Sequence, residues 1–392
     1  MSIAIASLTT GPRFTALPPL SLYVHIPWCL KKCPYCDFNS HEVRGAVEER
    51  AYVETLLADL EHTLPLVWGR PVYTVFIGGG TPSLFSPESI DTLIAGIRAR
   101  LPLAVDAEIT MEANPGTFEA ERFRGFRAAG VNRLSIGIQS FDARHLAALG
   151  RVHDAAQAHA AAACAADVFD TYNLDLMYAL PGQSVDEALT DLAAALAYQP
   201  PHLSAYHLTL EPNTYFHRYP PALPDDDAAA EMQERIEALL GESGYGHYET
   251  SAYARPGHRS RHNVNYWTFG DYLGIGAGAH AKISFPDRIE RHARHRQPRE
   301  YQEKVAAGDA VQSRVVVPTQ ELGFEFMMNA LRLTDGVPAT LFEERTGRPL
   351  TDVMAALDEA ERRGLLVRDH RRFAPTALGR RFLNDLLQLF LA

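Results

Sequence analysis

Three of the four cysteines of this chain lie in one short stretch, where Cys29, Cys33 and Cys36 have the spacing CxxxCxxC. Thiolates are soft ligands that favour iron–sulfur clusters, zinc and copper. Three thiolates on one loop can bind three irons of a cubane and leave the fourth iron open. A structural zinc site needs a fourth ligand nearby, and His25 and His41 keep a zinc site with three cysteines and one histidine open as an alternative. The spacing favours the three-thiolate cluster.

The composition is that of a globular chain large enough for more than one domain. Its 392 residues are 46% hydrophobic, and the formal net charge is -11. A negative net charge disfavours broad binding to nucleic acid or anionic lipid, so we expect no nucleic-acid partner. No run of about 18 apolar residues predicts a membrane span, and the clustered cysteines are typical of a reducing compartment. We therefore expect a cytoplasmic protein, peripheral to a membrane only through its partners.

Segments rich in β-branched and aromatic residues alternate along the chain with segments of helical apolar spacing. The predicted strands are 21–26, 73–77, 108–112, 133–138, 171–177 and 202–209. The predicted helices are 46–64, 89–100, 120–129, 143–149 with 157–166, and 185–198. This alternation predicts right-handed βαβ units and a parallel sheet. Six such units form either a doubly wound sheet or an incomplete barrel, and periodicity does not separate the two.

Polar and glycine residues stand at the ends of most predicted strands, where parallel α/β sheets concentrate their chemistry. The candidates in chain order are Gly79, Gly80, Thr81, Glu112, Gln139, Arg151 and Asp175. Glycines let a backbone approach a ligand closely, but this glycine run lacks the lysine of a phosphate-binding loop. Singly, each residue is more simply a solvated or capping side chain. Together they form the mixed set of charges that a zwitterionic, ribose-bearing ligand requires.

The cysteine loop and the strand ends resemble the radical S-adenosylmethionine (radical SAM) superfamily, and more closely its coproporphyrinogen dehydrogenase branch. The matching strings are, in chain order, YVHIPWC, CPYCDF, GGGTPS, MEANPG, SIGIQSF and NLDLMYALPGQ. The resemblance implies an α/β fold with an incomplete (β/α)6 TIM-like barrel and a C-terminal winged-helix-like α domain. It also implies a [4Fe-4S] cluster whose open iron binds S-adenosyl-L-methionine. An electron from the cluster would split the sulfonium and give a 5'-deoxyadenosyl radical.

Residue roles carry over from this resemblance onto the matching positions. The cluster ligands would be Cys29, Cys33 and Cys36. The two tyrosines that line the S-adenosylmethionine site beside the cluster would be Tyr23 and Tyr35. The residues that present backbone to the methionyl end would be Gly79, Gly80 and Thr81. The side chains that bind the remaining polar groups would be Glu112, Gln139, Arg151 and Asp175. Charge-assisted hydrogen bonds of this kind are the stronger class.

The second half of the chain carries the string HNxxYW, formed by His262, Asn263, Tyr266 and Trp267. A lone histidine is more often a hydrogen-bonded core or loop residue than a ligand. The string, however, resembles the heme-binding motif of the radical SAM heme chaperones of the same branch. The resemblance implies that His262 is the axial ligand of heme, because a neutral imidazole suits iron. The other three residues would shape the pocket and stack on the macrocycle, and His280 is a further candidate for lining it.

Two departures separate this chain from the dehydrogenase of the branch. The dehydrogenase signature continues to a further cysteine two residues beyond the third cluster ligand, where this chain has Phe38. The dehydrogenase also has a longer segment before the first strand, which helps to close over the porphyrinogen. We therefore expect a heme chaperone rather than an enzyme, with oxygen-independent coproporphyrinogen III dehydrogenase as the alternative. A DNA-binding regulator that senses iron–sulfur status is a third hypothesis, which the negative charge disfavours.

The heme chaperone hypothesis implies several partners. The protein would bind heme and deliver it to heme-accepting proteins, among them membrane respiratory enzymes. A low-potential electron donor is a further expected partner if the cluster is reduced, and a homodimer is left open.

Changes in composition predict four regions: a flexible leader over 1–19, the radical SAM barrel over 20–255, a heme-motif and connector region over 256–312, and the winged-helix-like domain over 313–392. Residues 288–299 are dense in arginine and histidine. This run could meet heme propionates or an acidic partner, but such runs are more often solvated connectors, and we predict a connector. Leucines at helical spacing over 382–391 predict a helix that covers a core.

Overall fold

The computed structural model describes residues 11–117 and 120–391. Its main element is a row of six parallel strands that lie side by side in chain order. They are β1 (Leu20–Ile26), β2 (Val72–Gly79), β3 (Leu103–Ala113), β4 (Arg133–Gln139), β5 (Tyr172–Tyr178) and β6 (His202–His207). All six correspond to predicted strands. A doubly wound sheet reverses its strand order, whereas this row keeps it, which identifies the incomplete barrel.

The predicted helices connect these strands, and all of them except the short helix 143–148 pack in the main hydrophobic core. They are α1 (Glu49–Thr63), α2 (Pro87–Arg100), α3 (Ala120–Ala128), α4 (Ala143–Ala148), α5 (Ala155–Val168) and α6 (Val185–Leu196). Capping side chains determine where several of these helices begin. Asp154 and Ser184 each form a capping box with the residue three positions later, which satisfies backbone N–H groups that a helix start leaves free.

The row does not close into a full barrel, because its outer strands β1 and β6 each pair with a further strand and not with each other. Next to β6 lie the antiparallel strands β7 (Gly246–Glu249) and β8 (Ala252–Ala254). Next to β1 lies the parallel strand β9 (Asp271–Ile275). It is followed by an antiparallel extension of β10 (His280–Phe285), β11 (Arg288–Arg294) and β12 (Val311–Val316). The helices of this part are α7 (Tyr215–Arg218), α8 (Asp226–Glu242), α9 (Arg261–Trp267) and α10 (Pro298–Ala306).

The arginine- and histidine-rich run forms β11, so the prediction of a solvated connector over 288–299 is wrong. Arg294 is 1% exposed, and its Nε donates to both carboxylate oxygens of Asp59 on α1 at 3.0 Å. The hydroxyl of Tyr301 on α10 donates to the same carboxylate at 2.7 Å. A buried cation is tolerated when it is paired and hydrogen-bonded. This pairing explains why a charged segment lies inside the sheet, and it joins the extension to α1.

The C-terminal part of the chain has a hydrophobic core of its own, in which Phe326, Phe342 and Phe373 are buried. Its helices are α11 (Leu322–Ala330), α12 (Thr340–Thr346), α13 (Met354–Arg362), α14 (Ala377–Arg381) and α15 (Leu383–Gln388). Its three-stranded sheet consists of β13 (Val337–Pro338), β14 (Leu366–Arg368) and β15 (Arg372–Pro375). This is the winged-helix-like arrangement that was predicted. Leu386 of α15 is buried in this core, as the leucine spacing predicts.

Residues 1–10 of the predicted leader lie outside the described residues, and the boundaries of the four predicted regions stay predictions. In the rest of the leader, the backbone N–H of Arg13 donates to the carbonyl of Gly347 at 2.9 Å, and Phe14 packs against the C-terminal core. Within the described ranges, no helix is both long and apolar enough to cross a membrane.

Asp59→Ala should destabilise the protein strongly, because it leaves the guanidinium of Arg294 buried without its carboxylate. Removing one partner of a buried pair costs about 3–5 kcal/mol. Urea unfolding followed by circular dichroism measures the free energy of unfolding. The control is Arg299→Ala, whose side chain is 93% exposed and should change that free energy by less than about 1 kcal/mol. Equal small effects of the two substitutions would contradict the role given to the buried pair.

Candidate functional site

A cavity of about 690 Å³ opens inside the incomplete barrel, and all sixteen site residues predicted from the sequence line it. The predicted cluster ligands among them are Cys29, Cys33 and Cys36. The predicted S-adenosylmethionine residues are Tyr23, Tyr35, Gly79, Gly80, Thr81, Glu112, Gln139, Arg151 and Asp175. The predicted heme residues are His262, Asn263, Tyr266 and Trp267. The two halves of the chain therefore contribute to one shared cavity.

Further polar side chains line this cavity that the sequence prediction missed. They are Arg133 and Ser135 on β4, Asn173 on β5, and His202 and Ser204 on β6. They occupy every second position of their strands, because successive side chains of a strand point to opposite faces. Strands of a parallel sheet are usually apolar on both faces. Polar residues at a period of two in such strands were therefore a readable signal of a polar interior.

The three predicted cluster ligands lie on the loop after β1, which a short pairing of Trp28–Cys29 with His41–Glu42 supports. All three thiols are free and partly buried. The hydroxyl of Thr81 donates to Sγ of Cys29 at 3.4 Å, and Nη1 of Arg151 donates to Sγ of Cys33 at 3.4 Å. A guanidinium and a hydroxyl thus stand beside sulfur atoms that carry negative charge when they bind metal.

The donor set fits an iron–sulfur cluster better than a single ion. Across 11–117 and 120–391, no three His, Cys, Asp or Glu side chains converge closely enough to hold one metal ion. A cubane does not require such convergence, because each thiolate binds a different iron. Three free thiols on one loop, lining a cavity that also contains a cation, are the chemistry that a cluster with an open iron needs.

The glycine run after β2 brings backbone against the cysteine loop. Gly79 has a φ of 117°, and a Cβ atom on it would lie 2.6 Å from the ring of His25. A Cβ atom on Gly80 would lie 2.5 Å from the carbonyl oxygen of Trp28. The N–H of Gly79 donates to Oε2 of Glu112 at 3.0 Å. Only glycine allows this approach, which places the loop and the Glu112 carboxylate together.

Two buried carboxylates stand on neighbouring parts of the cavity wall. Burial raises the pKa of Glu112 to about 7, and the negative charge of Asp175 adds to this effect. Burial also raises the pKa of Asp175, against hydrogen bonds that favour its charged form. Those bonds come from Nδ2 of Asn173 at 2.7 Å and the hydroxyl of Ser135 at 3.2 Å. Each carboxylate would gain from a ligand that supplies positive charge or hydroxyl donors.

The amide and the guanidinium of the predicted set lie next to each other. Gln139 ends β4 in the left-handed region, with a φ of 68°, where the pairing of β4 with β5 is irregular. Such a conformation is uncommon for a residue other than glycine and is often found at functional sites. Nη2 of Arg151 donates to the carbonyl of Gly137 at 2.9 Å, and its Nη1 lies 3.4 Å from the hydroxyl of Tyr35. Arg151 thereby connects the end of β4 to the cysteine loop.

The HNxxYW string forms α9, which is held at the opposite end of the strands. The carboxylate of Glu108 on β3 accepts from the N–H groups of Arg261 and His262 at 3.2 and 3.1 Å. The hydroxyl of Ser260 caps the same helix start by accepting from the N–H of Asn263 at 3.3 Å. A carboxylate at a helix N-terminus is favourable because the free N–H groups carry partial positive charge. Glu108 thus positions the start of α9, a role that the sequence prediction missed.

Nε2 of His262 is buried, and the described residues offer it no hydrogen-bond partner. Nδ1 of the same ring lies 2.8 Å from the hydroxyl of Thr74 on β2. That hydroxyl donates its proton to Oγ of Ser21 at 2.7 Å, so it accepts from Nδ1–H of His262. Burial lowers the pKa of His262 to about 3, and the charge of Arg133 adds to this effect. The ring is therefore neutral, with the lone pair on Nε2.

The aromatic residues of α9 have few polar partners of their own. The ring of Tyr266 packs edge-on against His262 at 4.8 Å between centroids. The guanidinium of Arg332 lies 4.3 Å from the centroid of Trp267, and the indole Nε1 of Trp267 is buried without a hydrogen-bond partner in the described structure. His280, the further candidate, does not line this cavity. It lines an adjoining cavity of about 670 Å³.

Comparison with known proteins agrees with this geometry. The sequence-family model of the radical SAM superfamily matches residues 23–194. The sequence-family model of the HemN C-terminal domain matches residues 317–382. The heme chaperone HemW of Escherichia coli is 52% identical over 378 residues, which cover 96% of this chain and 99% of that protein. The chain belongs to the HemW family. The predicted family is thereby confirmed.

Other similarities extend along the same length. The HemW protein of Haemophilus influenzae is 47% identical over 381 residues, covering 96% of this chain and 98% of that protein. Among solved structures, this chain resembles the coproporphyrinogen III oxidase HemN of Escherichia coli, which is a radical SAM enzyme. The two structures superpose with a TM-score of 0.81 and are 25% identical in sequence. The match covers 95% of this chain and 90% of that chain. The fold of this HemW family member is therefore HemN-like, and the predicted fold class is confirmed.

Glu112→Gln should change how stability depends on pH. In the unfolded wild-type chain, the carboxyl group of Glu112 has a pKa of about 4.3 and loses its proton near that pH. In the folded protein, the same group keeps its proton up to about pH 7. Ionisation therefore favours unfolding across this window. We expect the wild-type free energy of unfolding to fall relative to Glu112→Gln by roughly 3 kcal/mol as pH rises from about 4.5 to 7.

Urea unfolding of the cluster-free proteins at several pH values measures this difference. Glu88→Gln, an exposed glutamate on α2, is the matched control and should follow the wild-type curve. A difference between wild type and Glu112→Gln that does not vary with pH would contradict the raised pKa.

Proposed function

We propose that this protein is a heme chaperone that binds a [4Fe-4S] cluster, S-adenosyl-L-methionine and heme, and that it delivers heme to heme-requiring proteins. The observation that carries the proposal is the neutral His262, whose unpartnered Nε2 is buried at a cavity that the whole HNxxYW set lines. The proposal is supported by 52% identity to a protein named heme chaperone HemW along almost the entire chain.

The cluster would be bound by Cys29, Cys33 and Cys36, with Arg151 and Thr81 offsetting the charge of the thiolates. When bound, the cluster supplies an electron to the sulfonium of S-adenosylmethionine. Radical SAM membership supports this pair of cofactors. The chain itself contributes a partly buried loop that limits access of water to the sulfur atoms, which is one of the factors that set a cluster potential.

S-adenosylmethionine would lie along the C-terminal ends of the strands. The aromatic walls would be Tyr23 and Tyr35, and the backbone contacts would come from Gly79, Gly80 and Thr81. The side chains for its charged and hydroxyl groups would be Glu112, Gln139, Arg151 and Asp175. A cationic amino group would complement the buried Glu112, and a carboxylate would complement the Arg151 guanidinium. This division of charges matches a zwitterion held out of water.

Heme would be bound as cargo at the other end of the cavity. His262 would bind the iron through Nε2, because Thr74 holds the proton of the ring on Nδ1. A hydrogen bond to the second nitrogen of a ligating histidine sets both its tautomer and its orientation. Asn263, Tyr266 and Trp267 would shape the pocket, with the two aromatic rings packing on the macrocycle.

The partners of the chaperone follow from the cargo. Heme-accepting proteins, including membrane respiratory enzymes, would take heme from the cavity. A low-potential electron donor would serve any reduction of the cluster. We place the protein in the cytoplasm, at the membrane only through such acceptors, and a homodimer is compatible with the proposal.

His262→Ala should weaken heme binding by at least about tenfold, equivalent to 1.4 kcal/mol, while leaving the iron–sulfur chromophore unchanged. The experiment reconstitutes the cluster without oxygen, titrates heme, and then offers the loaded protein to a heme-free acceptor. His159→Ala, an exposed histidine on α5, is the control and should bind heme as wild type does. If His262→Ala binds heme with unchanged affinity, the assignment of His262 as the ligand of the heme iron is wrong. Anaerobic conversion of coproporphyrinogen to protoporphyrinogen would instead support the dehydrogenase, whose fold this chain shares.

Thr74→Val should weaken heme binding about 10- to 100-fold, the usual effect of removing the hydrogen-bond partner of a metal ligand. Valine keeps the shape of threonine but cannot accept from Nδ1–H. Thr74→Ser keeps the hydroxyl and should restore both the affinity and the absorption spectrum of histidine-ligated heme. If Thr74→Ser binds heme as weakly as Thr74→Val does, the role proposed for the hydroxyl group is refuted.

A further inference from the structure

A second cavity of about 670 Å³ adjoins the first, and Tyr266 and Trp267 line both. Part of its wall comes from outside the six-stranded row. The antiparallel extension contributes His280 and Lys282, and α11 contributes Asn329. Its volume is within the range of about 300–1,000 Å³ typical of small-molecule sites. The roles proposed above for the cluster, for S-adenosylmethionine and for the heme iron leave His280, Lys282 and Asn329 unused.

The second cavity has a cationic wall. The side chains that form it are Lys282, Arg291, Arg294 and Arg296. Nζ of Lys282 lies 2.9 Å from one oxygen of Asp271, and Arg70 lies 2.8 Å from the other oxygen. Asp271 therefore serves two cations, while Arg291 pairs with Glu325 on α11 and Arg294 pairs with Asp59. The four cations of the wall together with Arg70 still outnumber these three carboxylates, which leaves an excess of positive charge. The carboxylates in the cavity wall itself, Asp37 and Glu112, belong to the part shared with the first cavity.

Arg294 is the most constrained member of this wall. Its side chain is 1% exposed, and Asp59 binds only its Nε. Both of its terminal amino groups are buried, and within the described chain neither has a hydrogen-bond partner. A buried donor without a partner costs about 1–3 kcal/mol, and more when it is charged. An acceptor in the cavity would recover part of that cost.

Aromatic rings stand beside these cations. Tyr266 packs edge-on against Tyr272 at 4.4 Å between centroids, and the hydroxyl of Tyr272 accepts from Nη1 of Arg291 at 2.8 Å. Trp267 continues the same wall toward Arg332. A flat, apolar ligand with acidic side chains matches such a surface, because rings stack on its plane and guanidinium groups pair with carboxylates in a bidentate manner.

We propose that the second cavity binds the carboxylate side chains of the macrocycle whose iron His262 binds. The inference rests on the proposed function and deepens it, since it identifies which part of the cargo the cationic wall recognises. Arg291 and Arg296 are the accessible cations of the site, and Lys282 and Arg294 are the buried ones. The macrocycle would cross between the two cavities at Tyr266 and Trp267.

The test compares heme with its dimethyl ester, which keeps the ring and the iron but lacks the carboxylate charges. Wild-type protein with its cluster should bind heme at least about tenfold more tightly than the ester. The variant Arg291→Gln with Arg296→Gln should bind the two porphyrins about equally, because it lacks the accessible cations. The cluster absorbance of each protein checks that the first cavity is intact, and Arg299→Gln, an exposed arginine on α10, should keep the wild-type preference.

Two results would overturn the proposal. One is a wild-type protein that binds heme and the ester equally. The other is a double variant that keeps the full wild-type preference for heme. Failure of wild-type protein to bind either porphyrin would instead contradict the proposed function, so the two failures are distinguishable.

Discussion

Buried polar groups that lack partners are the constraint on which this structure depends. The inward-facing positions of β4, β5 and β6 carry arginine, asparagine, histidine and serine instead of the aliphatic residues that fill most small barrels. Some of these groups satisfy one another, as when Nδ1 of His202 bonds Oδ1 of Asn173 at 2.7 Å. Others, including Nε2 of His262, do not. Such an interior contains polar groups that a bound ligand would satisfy.

The position of α9 gives this cavity two chemically different ends. Thr74, which contacts His262, precedes Gly79 by five residues on β2, and a strand rises about 3.3 Å per residue. The histidine and the cysteine loop are therefore separated by roughly 16 Å along the strand. One end offers thiols, carboxylates and a guanidinium, and the other offers a neutral imidazole with aromatic rings. A single cavity can thus serve a zwitterionic cofactor and a planar cargo.

Much of the fold and the site was readable in the sequence, for identifiable reasons. Strand and helix periodicity located all six barrel strands, because both faces of a parallel sheet are covered and its segments are strongly patterned. The positions Glu112, Gln139 and Asp175 were found because parallel strands end at one edge. The arginine-rich run was misjudged because its partner Asp59 is 235 residues away in the chain. Glu108 and Thr74 were missed because each looks like an ordinary strand residue until α9 is placed against it.

The sequence by itself determined the cysteine spacing, the order of the βα units and the motifs that identify the family. These are properties of local spacing and of recurring strings, which require no knowledge of distant contacts. Only the tertiary structure decided that the HNxxYW helix lines the same cavity as the cysteine loop, and that Thr74 leaves the lone pair of His262 on Nε2. It also decided that a charged segment becomes an interior strand. Each of these results depends on groups far apart in the chain, and burial makes their pairing, or its absence, energetically decisive.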